Sequence, residues 1–103
     1  MTRFQVVNEV CSDDPKVHRR IEQELTEWER SGWAAEEGWR LCLQWGRYIH
    51  GDGRMETGYR FIWRRPDGRL QAARGQARIP TLKLARILMD EAGRRGWGDY
   101  AGD

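Results

Sequence analysis

Trp39-Arg40-Leu41-Cys42-Leu43-Gln44-Trp45-Gly46 alternates residue by residue between apolar and polar side chains. On an extended chain Trp39, Leu41, Leu43 and Trp45 share one face and Arg40, Cys42 and Gln44 the other, the period-two pattern of a half-buried strand. Gly46 interrupts it and marks a bulge or a close approach of another segment. His50-Gly51-Asp52-Gly53 has turn chemistry, and 57–64 repeats the alternation. There Tyr59, Phe61 and Trp63 oppose Arg60, Ile62 and Arg64. A second turn, Arg65-Pro66-Asp67-Gly68, leads to a weaker strand over 69–75 with Leu70 and Ala72 inward and Gln71 outward. Hairpin-length connections make these three strands antiparallel neighbours.

On the N-terminal side, 3–10 reads as a short strand with Phe4 and Val6 alternating against Gln5. Ser12-Asp13-Asp14-Pro15 opens a helix, with a side-chain acceptor at the cap and Pro at the first helical position. Val17, Ile21, Leu25 and Trp28 form a narrow apolar stripe, and Gly32 ends the helix. On the C-terminal side, a helix starts near Ile79-Pro80-Thr81 and runs to Gly93 or Arg94. Its apolar residues, from Leu82 to Ala92, span about 220° of the helical wheel, too wide an arc for a single packing partner. The order β-α-β-β-β-α gives an α+β two-layer sandwich, an antiparallel sheet of three to four strands with two helices on one face. The 103 residues hold one such domain over 1–95, followed by a flexible tail at 96–103.

The formal net charge of +2 hides a gradient. Residues 1–37 carry nine acidic and five basic side chains, 38–78 three and nine, and 79–103 four of each. The N-terminal helix is therefore acidic and the sheet basic. Of the basic residues 16 are Arg and 2 are Lys, a bias that a GC-rich bacterial genome would also produce. No apolar run is long enough to span a membrane, and the first residues lack the apolar core of a secretory signal. Cys11 and Cys42 are expected as reduced thiols in a cytoplasmic protein.

Cys11, His18, Cys42 and His50 stand at no metal-ligand spacing, so no metal is expected. Ser12 and Ser31 sit at helix termini, where capping accounts for them, and no nucleophile elbow is present. The sequence thus points to no catalytic residue and no cofactor, and the expected class is a non-enzymatic binding or regulatory protein. Its expected partner is another protein or a second copy of itself, with Trp33, Trp97 and Met89 as candidate contacts. The alternative partner is nucleic acid, held on an open sheet face by Arg40, Gln44, Arg60, Arg64, Arg69 and Gln71.

Gly58-Tyr59-Arg60-Phe61, then Arg65-Pro66-Asp67-Gly68-Arg69 and Ile79-Pro80-Thr81-Leu82-Lys83-Leu84-Ala85-Arg86, resemble the arm-type DNA-binding domains of tyrosine recombinases over about a third of the chain. That resemblance implies reading of DNA by the sheet through Arg60, Arg64 and Arg69. The third strand differs, and no recombinase catalytic domain follows. The element order also resembles double-stranded RNA-binding domains, whose Gly-Pro-x-His segment is missing here. Neither family is assigned.

Overall fold

A computed structural model describes residues 2–31, 37–71 and 77–98. Strand β1 (Arg3–Cys11) is followed by helices α1 (Pro15–Glu24) and α2 (Glu27–Ser31). Strands β2 (Arg40–Ile49) and β3 (Met55–Arg64) form a hairpin, and helix α3 (Leu82–Arg94) closes the fold. The sheet is antiparallel in the order β1-β2-β3, and the protein is α+β as the patterning requires. Of the expected strand at 69–75, Leu70 bridges Arg64, and the Gln71 N–H donates to the Trp63 carbonyl at 2.8 Å. Its remaining positions, 72–75, lie outside the described residues.

The two sheet faces divide as the alternation dictates. Leu41 and Leu43 from β2, Trp63 from β3 and Val10 from β1 pack under Val17, Ile21 and Leu25 of the α1 region and under Leu84, Ile87, Leu88 and Ala92 of α3. Gly46 is a point of close approach, and the bulge lies on the neighbouring strand. The register of β1 slips between Val6 and Asn8, next to Gly46, while β2 pairs with β3 without interruption out to Ile49 and Met55. A Cβ at Gly46 would stand 2.2 Å from the Gln5 carbonyl oxygen and 2.7 Å from the Phe4 ring. The missing side chain is what lets Phe4 lie flat on the sheet.

The first helix does not continue to Gly32. Leu25 takes an extended conformation (φ −95°, ψ 140°) and α1 ends there, its N-terminus capped by Asp14 accepting from the Lys16 N–H at 3.0 Å. Thr26 then starts α2 with a capping box. Its hydroxyl accepts from the Glu29 N–H at 3.1 Å, and the Glu29 carboxylate accepts from the Thr26 N–H at 2.8 Å. This re-start turns Trp28 off the apolar stripe, so the residue expected in the core is 85% exposed. Ser12 does not cap α1 either: it is buried and its hydroxyl accepts from the Leu41 N–H, extending the β1–β2 ladder.

Helix α3 keeps its expected bounds. Thr81 caps it by accepting from the Leu84 N–H at 3.2 Å. At its far end Gly96 adopts positive φ, the turn folds back, and Trp97 enters the core. Gly98 then passes so close to Trp45 and Tyr59 that a Cβ would stand 2.7 Å from the indole. The packed chain therefore continues past 95 to Gly98, and the rest of the expected tail, 99–103, lies outside the described residues.

Cys11 and Cys42 form a disulfide, contrary to the expectation of reduced thiols. Their sequence separation of 31 conceals the reason. In the β1–β2 register the two are direct cross-strand partners, both on the face away from the helices, where Ile62 packs beside them.

Candidate functional site: the outer sheet face

The face away from the helices carries the arginines singled out in the sequence. Gln44 and Arg60 are register partners, as are Arg40 and Arg64, so the pleat projects all four on one side. What the strand pattern did not disclose is that β1 brings an acid among them. Glu9 pairs in register with Gln44 at the centre of the face.

Glu9 organises most of this surface. Its carboxylate accepts from Arg64 Nε at 3.1 Å and Arg64 Nη2 at 2.9 Å, the two-point geometry in which guanidinium and carboxylate match best. Gln44 donates from Nε2 to the same carboxylate and accepts at Oε1 from Arg60 Nε at 2.8 Å. Gln44 is fully buried beneath these side chains, so it is a strut within the network and has no surface to present. Arg64 also donates to the Gly68 carbonyl. Arg40 pairs with Asp13 at 3.3 Å and donates to the Arg65 carbonyl at 3.4 Å. Its Nε is buried with no hydrogen-bond partner among the described residues, beside a recess of about 370 Å³ lined in part by Asp13, His18, Trp39 and Pro66.

Arg60 is different. Its guanidinium lies 4.2 Å from the centre of the Phe4 ring, and Phe4 in turn meets Tyr48 edge-on at 4.7 Å. The contact is a cation–π pair on a half-buried surface. Burial pulls the Arg60 pKa down, and the nearby Tyr48 and Glu9 groups act against that shift.

The remaining candidates are scattered. Arg69 lies on the turn after β3, well exposed, 3.9 Å from Asp67. Gln71 is half-buried at the edge of β3. Among the protein-contact candidates Trp97 is buried in the core, Met89 is 45% exposed, and Trp33 lies outside the described residues. Sequence reasoning missed Glu9, Phe4 and Tyr48 as parts of this face. The alternation of Phe4 and the glycine at 46 were the available signals for the aromatic pair.

Glu9, Cys11 and Cys42 are brought together with ligand atoms within 4.8 Å of one another. The sulfurs are bonded to each other, and the carboxylate is held by Arg64 and Gln44, so the cluster offers no thiolate as it stands.

Compared with known proteins, the chain matches no protein family, no curated protein and no solved structure. No helix among the described residues is long and apolar enough to cross a membrane. Fold and surface define a small α+β domain with an ion-paired sheet face.

Proposed function

We propose that this is a non-enzymatic binding or regulatory protein that acts through protein–protein contacts, self-association included. The observation that carries the reading is a contrast between two surfaces. The basic sheet face spends its charge internally, because Glu9 and Asp13 engage Arg64 and Arg40. Large apolar side chains at the helical end stay outside: Trp28 at 85% exposure and Leu82 at 80%. The Lys83–Glu29 ion pair at 3.2 Å links α2 to the first turn of α3, and Trp28 and Leu82 are the sequence neighbours of its two members. Exposed aromatic and aliphatic anchors framed by charged pairs are what a protein contact uses.

Nucleic acid is the weaker reading for the same reason, since affinity for a polyanion depends on how many phosphates are neutralised by free cations. A cytoplasmic setting rests on the cysteines being reduced in the cell, whereas the disulfide is the state an oxidising compartment favours.

Sedimentation equilibrium at micromolar concentration tests the contact surface. The wild type should sediment above 12.1 kDa, and Trp28→Ser with Leu82→Ser should return it to the monomer mass. A strict monomer that also captures no protein through this surface overturns the reading.

A further inference from the structure

We infer that the outer sheet face carries a binding site for a single carboxylate, with Arg60 as its fork and Phe4 and Gln44 as the groups that fix the fork in place. This site is separate from the helical contact surface and does not depend on it.

Among the described residues, Arg60 is the arginine of this face that makes no ion pair. Arg64 is matched by Glu9 and Arg40 by Asp13, while no carboxylate among the described residues lies within ion-pair distance of Arg60. Its Nε is committed to Gln44 Oε1, and its Cζ lies 4.2 Å over the centre of the Phe4 ring. The two terminal amino groups bond to no described residue, and neither is sealed from solvent. Tyr48 buttresses the Phe4 ring edge-on, with the two ring centres 4.7 Å apart.

The arrangement suits a carboxylate better than other anions. A guanidinium held by its Nε and one face has two parallel N–H groups left at its end, and these match the two oxygens of a carboxylate in one plane. Fixing the side chain in advance removes most of the rotamer entropy that a free arginine would lose on binding. A polyphosphate chain needs several free cations in a row, and among the described residues of this face only Arg60 makes no ion pair.

The test follows the Arg60 Nε–H and Phe4 ring signals by NMR during titration with sodium acetate, at ionic strength matched with sodium chloride. Acetate should shift these signals saturably, and chloride should not. Arg60→Lys cannot present a fork and should weaken the response at least tenfold, with the amide spectrum elsewhere confirming the fold. Blocked glutamate (N-acetyl, C-amide) binding more tightly than acetate would point to an acidic side chain of a protein, and the reverse to a small free acid. Overturning results are a response that does not saturate, one that chloride reproduces, one that survives Arg60→Lys, or tighter binding of inorganic phosphate than of either carboxylate.

Discussion

Glu9 on β1 and Arg64 on β3 are joined by two hydrogen bonds of 3.1 and 2.9 Å across the intervening strand. The two strands do not pair with each other, so this contact spans the full width of the sheet. It also sets the electrostatic character of the face. Glu9→Gln keeps the shape and removes the charge, leaving Arg64 without its ion-pair partner. The variant should lose about 1–2 kcal/mol of stability, because the pair is only partly shielded from water. It should also gain salt-sensitive retention on heparin that the wild type lacks. Thermal melts and elution from a heparin column check the two halves.

Gly46 is irreplaceable on steric grounds. A methyl group there would meet the Gln5 carbonyl at 2.2 Å and the Phe4 ring at 2.7 Å, and the first of these is backbone. Gly46→Ala should push β1 away from β2, costing at least about 2–3 kcal/mol. Chemical denaturation measures the loss. An unchanged midpoint would mean the strands do not approach this closely.

Glu91 is 2% exposed and accepts from Arg94 at 2.7 Å and Arg95 at 2.8 Å, while Arg95 also reaches Asp14 at the start of α1. Burial pushes both carboxyls upward, but the arginine hydrogen bonds, joined at Asp14 by the Lys16 N–H, outweigh it and hold both below the ordinary range. A carboxyl with a depressed pKa in the folded state stabilises fully above the unfolded value near 4 and loses that contribution as pH falls through the folded value. Melting temperature should therefore be level from neutrality to about pH 5 and drop below about pH 4. Glu91→Gln should lower stability at pH 7 and soften that drop, as a series of melts across pH would show.

The disulfide closes a loop containing both N-terminal helices. For a sequence separation of 31 the loop-entropy relation gives about 3–4 kcal/mol. Reduction with dithiothreitol should lower the melting temperature by on the order of 15–25 °C in a domain of this size. An identical melt before and after reduction would show that the thiols are not bridged.

The faces of the hairpin were legible because a strand's period is fixed by geometry, so Leu41 and Arg40 had to point apart. Helix α3 was equally legible from Thr81 at its cap. The break at Leu25 was encoded too, in Thr26-Glu27-Trp28-Glu29, but the apolar stripe from Val17 to Leu25 runs up to it and extrapolates smoothly onto Trp28. The contacts of Glu9 and of the two cysteines are another matter. They depend on where β1 docks against β2 and on a slip at Val7, and no local pattern carries that register. For the same reason a face that reads as basic along the chain is nearly balanced once β1 is in place.

The salt dependence of nucleic-acid binding by the wild-type chain tests that balance of charge most directly. Fluorescence anisotropy with labelled duplex DNA and single-stranded RNA should show no saturable binding at micromolar protein, even at low salt. Saturable binding whose logarithm falls with the logarithm of salt at a slope of roughly −3 or steeper would mean that several arginines of the sheet are free, contradicting the pairing of Arg64 with Glu9 and of Arg40 with Asp13.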